Sequence, residues 1–529
     1  MNISAITLQN FKGVAGLSRI ELKPITLLFG PNSAGKSTLL QALVYAQEIL
    51  NHNNIDPDYT NLGGEVMDLG GFERIVHAHD KNNKIIIGIE LDVSDTDLPD
   101  PRVDENYDDS LLESFNENLP NTDDFLSKID TIECQMTISW SAMLGKPFVE
   151  QLDYIVNGEL IARLTSKAEI TETRITKLNI SHPIFELDDE KEKEKEKENG
   201  DEDEDEWFRS FIEDVLNEKH LGSDDTASIP LMGCIGSIPT KNTDLIILSE
   251  NSSSNYRTND GLSVQTFISA LFNRLLGGSL LLIRERLEQL VYIGPLREVP
   301  ERDMNYRRSP ESSRWARGMA GWDMLHNGDK GLIKEVNHWL SDKNRLNSGY
   351  IVNHYQYREL PVETKIDEIN FTDLPVRSRF TLKETQNDIE VYPRDVGVGI
   401  SQVIPVIVAA IALRSSIIAI EQPELHIHPA LQVALGDLFA SKVNDNESLF
   451  LLETHSEHLM LRFLRRIREK HENELPDYAP EISPDDISVI YVQNTEEGVS
   501  FSQIRIDDEG EFIDRWPKGF FGERAEELF

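Results

Sequence analysis

Apolar positions along this chain fall into short runs that switch between the period of a strand and that of a helix. Residues 3–8 and 19–29 have the β-branched and apolar content of strands, with Asn10, Phe11, Lys12 and Gly13 as a turn between them. The second run closes on Ile25, Thr26, Leu27, Leu28 and Phe29, and a helix is expected to follow, reaching about Leu50. Residues 66–72 and 84–91 add sheet, and alternating strands are expected around 133–140 and 151–164. Over 261–293 the spacing turns helical, with Phe267, Leu271, Leu275, Leu287 and Val291 available to one apolar side. No heptad persists there, which predicts a compact insertion and not a coiled-coil arm. Later come an apolar helix at 403–413, two apolar runs at 417–420 and 449–452 that read as buried strands, and an amphipathic helix at 457–470. A hairpin at 488–506, turning at 495–498, is expected to add antiparallel strands at the end of the molecule. Strands and helices mixed in this way place the chain in the α/β class.

Length and charge narrow the setting. The 529 residues allow roughly two to four domain-sized units. A formal charge of −41 argues against a surface that binds nucleic acid non-specifically, which needs lysines and arginines facing phosphates. Much of that charge is local: residues 92–130 hold 13 acidic and 2 basic side chains, and residues 186–206 hold 14 and 4, so a basic face elsewhere stays open. The Lys/Glu repeat at 191–198 and the acidic run at 201–206 have no apolar face and read as a disordered loop, with an acidic lure for a basic partner as the functional alternative. Cys134 and Cys234, without a CxxC spacing, read as free thiols of a reducing compartment and not as a zinc site. The N-terminus lacks the basic region and apolar core of a signal peptide, and nowhere do 18 apolar residues run together; a soluble, cytoplasmic protein without a membrane segment is expected.

The chemistry concentrates after the run 25–29. Residues 30–37 read Gly-Pro-Asn-Ser-Ala-Gly-Lys-Ser between a strand and a helix start, the context of a phosphate-cradling P-loop. Its backbone N–H groups over Asn32, Ser33, Ala34, Gly35, Lys36, Ser37 and Thr38 can face an anion, Lys36 can reach the outer phosphates, and the Ser37 hydroxyl can ligate Mg²⁺. A second anion site is expected at 395–402, where Gly397, Gly399 and Ser401 precede the apolar helix and suit a γ-phosphate. The strand 417–420 delivers Glu421, followed by Gln422 and Glu424, and so puts charge beside a metal; the strand 449–452 runs into Glu453, Thr454, His455 and Ser456. His426, His428, His455 and His458 read as loop and sensor groups, since no paired carboxylate motif completes a zinc site. A nucleophile triad from Ser401 or Ser456 with His455 has no Gly-x-Ser-x-Gly elbow behind it. Two arginine rows remain: Arg297, Arg302, Arg307, Arg308, Arg314 and Arg317, interleaved with aromatic residues, and Arg462, Arg465, Arg466 and Arg468 on the late helix. The first reads as a contact for nucleic acid or an acidic partner, or else as internal ion pairing; the second as a DNA-facing row, or else as the solvated face of an amphipathic helix.

Together, Asn10 to Lys12, the P-loop, 395–402, the Glu-Gln-Pro-Glu-Leu-His-Ile-His-Pro run at 421–429 and Glu453 to Ser456 resemble the ATP-binding-cassette ATPases of the RecF, structural-maintenance-of-chromosomes and overcoming-lysogenization-defect group. More narrowly the chain resembles the standalone prokaryotic ATPases of that group found in phage-defence systems, such as PtuA of Septu and AriA of PARIS. Residues 516–524 resemble a short uncharacterised tail on some of these ATPases. The resemblance implies a P-loop NTPase with an ABC-ATPase-like head split by a long mixed α/β insertion. The head halves would be 1–92 and 291–480, the insertion 93–290, and the hairpin with a small C-terminal tail 481–529. It implies ATP and Mg²⁺ as cofactors, Ser37 and Glu421 at the metal, and His455 as the switch histidine. Gly397, Gly399 and Ser401 would act on ATP bound by a second copy, making a homodimer or higher homo-oligomer.

One departure matters: the family's catalytic glutamate follows the acid at 421, and this chain has Gln422 there. Glutamine can orient a water but cannot take its proton, so either hydrolysis is slow or Glu424 supplies the base. The resemblance further implies a sensor or scaffold subunit of an anti-phage system with a separate effector, a nuclease. The alternatives are a RecF-like DNA repair ATPase and an assembly scaffold that hydrolyses little. A transporter ATPase is disfavoured by the 363 residues between Lys36 and Gly399. A Toprim nuclease domain is not expected in the residues after the switch motif.

Overall fold

The computed structural model describes residues 2–101, 122–168, 170–179, 181–185, 229–241, 245, 269–302, 306–308, 311–327, 330–360, 372, 374–446 and 448–516. The 191–198 repeat and the 201–206 run lie outside the described residues, as do residues 517–524 of the tail. The chain divides into two compact units. One comprises Met1–Glu21, Tyr45–Pro57 and Gly70–Glu288; the other comprises Leu22–Val44, Asp58–Leu69 and Gln289–Phe529.

The first unit is built on an eight-stranded antiparallel sheet, ordered Ile229–Leu231, Ile170–Leu178, Glu159–Lys167, Lys146–Val156, Thr131–Ser141, Ile85–Asp92, Asn2–Gln9, Ser18–Glu21. The first strands of the chain are thus continuous with those of the expected insertion: Ile6 pairs with Ile89, and Ile89 with Cys134. The run 151–164 folds back on itself at Asn157 and Gly158, whose φ of 48° and 84° make the tight turn that an Asn-Gly pair favours. Burial alternates along Ala162–Lys167, as a half-buried antiparallel strand requires, whereas Thr131–Ser141 is buried at all but Thr131, Gln135 and Trp140.

The second unit carries the P-loop. Its six-stranded sheet contains β1 (Ile25–Phe29), β2 (Leu290–Ile293), β3 (Ile417–Glu421), β4 (Leu449–Glu453), β5 (Ile487–Thr495) and β6 (Gly498–Ile504), in the order β2-β3-β4-β1-β5-β6. All neighbours are parallel except β5 and β6. β1 and β4 are buried at every position, which is why they read as uninterrupted apolar runs. Among its helices are α1 (Ser37–His52), of which the part up to Val44 belongs to this unit, α2 (Val398–Ala412), α3 (Pro429–Asn446) and α4 (Glu457–His471). α2 is apolar almost throughout and buried from Ser401 to Ile411, a core helix and not an amphipathic one. α4 starts on Ser456, whose side chain accepts from the Leu459 N–H. A separate antiparallel sheet of Tyr350–Arg358, Val376–Glu384 and Ile389–Val391 buries Val352, Phe380 and Leu382 in the same core.

Three expectations are corrected here. Residues 19–29 are two strands in two sheets, parted at Leu22–Pro24; Pro24 has no N–H to donate, and its carbonyl accepts from Phe450 at the start of the parallel pairing. Leu290 and Val291, counted with the helical stretch, belong to β2. The late hairpin does form, but its first strand is not peripheral: β5 lies parallel and directly against the P-loop strand, from Ile487 beside Ile25 to Tyr491 beside Phe29.

Candidate nucleotide site

The P-loop leaves β1 at Gly30, with φ +152°, and only glycine fits there. A Cβ at this position would lie 2.1 Å from the Val492 carbonyl oxygen of β5. Gly35, with φ +95°, lies close against Val499 of β6. Asn32 and Ser33 are exposed, Ala34 and Thr38 are buried, and the loop closes on itself through Ala34 N–H to the Pro31 carbonyl and Thr38 N–H to the Gly35 carbonyl. Lys36 curls back, its Nζ donating to the carbonyls of Gly30 (3.1 Å) and Pro31 (2.9 Å).

Carboxylates delivered by two neighbouring strands face this loop. Ser37 Oγ donates to Glu453 Oε2 at 2.6 Å, and Lys36 Nζ lies 4.0 Å from Glu453. Glu421, at the end of β3, accepts from the Tyr292 hydroxyl at 2.9 Å. Gln422 takes a left-handed φ of 46° and donates its N–H to the Glu453 carbonyl. Glu424 Oε1 accepts from the His455 N–H at 2.7 Å, while Glu424 Oε2 and His455 Nε2 are buried without a partner. Burial lowers the pKa of Lys36, opposed by the charges of Glu453, Glu424 and Glu421. Burial raises the carboxyl pKa of Glu453, opposed by the Ser37 hydrogen bond and Lys36; it raises that of Glu424 as well. His455 is held below its ordinary range by burial and then by the Lys36 charge, so its ring is neutral near pH 7. A 620 Å³ cleft beside the loop is lined by Ser37, Gln41, Asp68, Tyr292, Arg297 and Glu421.

The second glycine motif forms the start of α2. Gly397 is exposed with open space around it, and Val398 is exposed as well. A Cβ on Gly399 would sit 2.7 Å from the His426 carbonyl oxygen. Ser401 is buried and donates to the Val398 carbonyl, and Asp395 pairs with Arg302 at 2.7 Å. Among the described residues no hydrogen bond joins Gly397, Gly399 or Ser401 to Lys36 or Ser37.

Neither serine considered as a nucleophile is aimed at His455: Ser401 bonds its own helix, and Ser456 caps α4 and donates to Gln432. Among the described residues no group of three or more His, Cys, Asp or Glu is arranged to hold a metal by itself. Both arginine rows are largely spent internally. Arg302 pairs with Asp395, Arg307 with Glu311, Arg314 with Asp323, and Arg317 with Glu65 and Glu298. On α4, Arg466 grips Asp437, Arg465 pairs with Glu469 and Arg468 with Glu511. Three site residues escaped the sequence reading of roles: Glu453, Tyr292 and Arg297. Their one signal was position, at or just past the end of an apolar strand.

The AAA ATPase domain family matches residues 1–460, and a family described as a protein of unknown function (DUF3696) matches residues 482–529. No curated protein matches. Among solved structures, the chain is similar to an SMC head domain from Thermotoga maritima, at 9% identity over 96% of this chain and 100% of that one, with a TM-score of 0.35. It is also similar to an SmcHead bound to the C-winged helix domain of ScpA, at 10% identity over 96% and 98%, with a TM-score of 0.38. A third is an Smc head domain with an extended coiled coil bound to the C-terminal domain of ScpA derived from Pyrococcus furiosus, at 12% identity over 99% and 98%, with a TM-score of 0.37. Among the described residues no helix is long and apolar enough to cross a membrane.

Proposed function

The chain belongs to the AAA ATPase domain family, and from that premise we propose that it binds and hydrolyses ATP with Mg²⁺ at residues 30–38, as one copy of a homo-oligomer. The observation that carries this reading is the hydrogen bond from Ser37 to Glu453 beside a buried Lys36 whose ammonium lies 4.0 Å from the same carboxylate. The residues fit the ligand. Gly30 and Gly35 leave bare backbone, the Lys36 ammonium donates to loop carbonyls that it can release, and the unpartnered Glu424 and His455 atoms have polar capacity to spare. Bound Mg-ATP supplies the phosphoryl group and the cation that draws charge from it.

The chain's own residues then divide the work. Ser37 and Glu421 ligate the cation, and Glu453 orients the Ser37 hydroxyl. Gln422 orients water, and Glu424, whose burial raises its proton affinity, accepts the proton on Oε2. His455, neutral, offers Nε2 as the sensor hydrogen bond. Gly397, Gly399 and Ser401, on the exposed start of α2, meet the nucleotide of a second copy. The wider role, a cytoplasmic sensor or scaffold subunit of an anti-phage system acting through a separate nuclease, rests on the family resemblance alone.

Lys36→Ala should abolish binding of a fluorescent ATP analogue, while Glu424→Gln should bind it and lose phosphate release. Unchanged turnover in Glu424→Gln reassigns the base. Light scattering with and without Mg-ATP tests assembly, and an unchanged mass removes the second-copy role of Gly397 to Ser401. A scaffold with little hydrolysis is the second reading, favoured by Gln422 in the base position. The RecF-like alternative loses support from the internal pairing of the arginines.

A further inference from the structure

We propose that Arg297 is a positioning residue that ties the start of α2 to the acid-bearing end of β3, so that nucleotide bound at one half-site is felt at the other. The proposal rests on the ATP-sandwich reading above and adds its internal linkage. Arg297 is only 3% exposed, yet among the described residues no carboxylate salt bridge holds its guanidinium. On one side its main chain is locked to Gln402, the residue after Ser401: the Arg297 N–H donates to Gln402 Oε1 at 3.0 Å, and the Arg297 carbonyl accepts from Gln402 Nε2. On the other side Nη2 donates to the carbonyls of Glu421 (2.7 Å) and Gln422 (3.1 Å).

From there the contacts continue without a gap. The strained Gln422 donates its N–H to the Glu453 carbonyl, and the Glu453 side chain accepts from Ser37. A guanidinium buried against carbonyls, with its desolvation only partly offset by the charges of Glu424 and Glu421, costs more to place than an apolar side chain of the same volume, so packing does not account for it. What arginine adds is span: Nη2 holds the Glu421 and Gln422 carbonyls while Nη1 of the same plane reaches the Gln402 carbonyl at 3.5 Å, and the single nitrogen of a lysine cannot cover both sides. The carbonyls it holds belong to the proposed metal acid and to the residue in the base position. Any shift of α2 toward a second copy's nucleotide therefore moves the geometry around Ser37.

The test uses the full chain with Arg297→Lys, Gln402→Leu and the double variant. Gln402→Leu cuts the same link from the helix side and leaves the buried charge alone, so the proposal stays testable if Arg297→Lys fails to fold. Three readouts are needed: binding of a fluorescent ATP analogue at low protein concentration, mass in Mg-ATP, and hydrogen exchange over 398–406 with and without nucleotide. Gln402→Leu should bind within about threefold of the parent, and each folded variant should exchange like the parent without nucleotide. Each should also lose the nucleotide-dependent protection of 398–406 and associate at least tenfold more weakly. The double variant should be no worse than either single one, as expected for one shared link. Parent-like protection and association in either folded variant overturns the linkage. A parent that binds nucleotide but does not associate in Mg-ATP overturns the sandwich reading itself, which separates the two failures.

Discussion

Alanine at Gly30 and at Gly397 should have opposite effects, although both glycines sit in motifs proposed to bind phosphate. At Gly30 the new Cβ would lie 2.1 Å from the Val492 oxygen, a main-chain atom held in the β5 pairing beside β1. A φ of +152° adds strain of about 1–3 kcal/mol for a residue with a side chain, and overpacking against backbone adds about 1–3 kcal/mol more. Gly30→Ala should thus cost roughly 2–6 kcal/mol, a large part of the ~5–15 kcal/mol that holds a typical domain. Gly397, with φ −55° and ψ 139° and open space around it, accepts a methyl group without strain. Alanine there should leave stability unchanged or raise it by about 0.4–1 kcal/mol, through the unfolded chain. Urea unfolding followed by tryptophan fluorescence reads the difference, because Trp315, Trp322, Trp339 and Trp516 all belong to the P-loop unit. Gly30→Ala should unfold at clearly lower urea and lose ATP-analogue binding; Gly397→Ala should match the parent in both. If Gly30→Ala unfolds with the parent, the seating of the loop against β5 is wrong. A fall in Gly397→Ala equal to that of Gly30→Ala would refute the exposed geometry of the second motif. With stability intact, loss of Mg-ATP-dependent association in Gly397→Ala reports on function alone.

Two further substitutions separate packing from chemistry. Asp437→Ala strips Arg466 of its fork, in which Nε and Nη2 each donate at 2.8 Å, and leaves a buried cation short of charge. The expected loss is about 3–5 kcal/mol, read as a lower unfolding midpoint; a change under about 1 kcal/mol would mean that Glu469 alone suffices. Glu453→Gln keeps an acceptor for Ser37 but removes the charge of a hydrogen bond in the ~1.5–3 kcal/mol class, so Mg-dependent nucleotide affinity should fall roughly ten- to a hundredfold with folding preserved. Equal affinity with and without Mg²⁺ in the variant and the parent alike would remove Glu453 from the cation's surroundings.

The strand, loop and helix of the phosphate cradle were legible because their signals are local: an apolar run, two glycines, and a helix opening at Ser37. The carboxylates were legible as residues but not as roles. Which of Glu421, Glu424 and Glu453 faces Ser37 depends on β4 lying between β1 and β3, and no local pattern encodes the order of parallel strands. Arg297 was visible only as one arginine in a row of six, since its proposed role comes from partners 105 and 124 residues away. Likewise the late hairpin announced its turn at Thr495 to Gly498, a local feature. The parallel seat of β5 against β1 is a contact between distant segments and left no trace in either one.

That seat sets a timetable for synthesis. Ser37 and Glu453 are 416 residues apart, and Lys23 meets the Pro484 carbonyl across 461 residues, so both neighbours of the P-loop strand emerge from the ribosome late. At roughly 5–20 residues per second the strand waits some 20–90 s with neither edge paired, an apolar segment in need of a chaperone's cover. A nascent or prematurely terminated chain has every residue of the phosphate loop and no sheet to mount it on. Competence for ATP is therefore withheld until the last strands arrive, and fragments of the protein are born switched off.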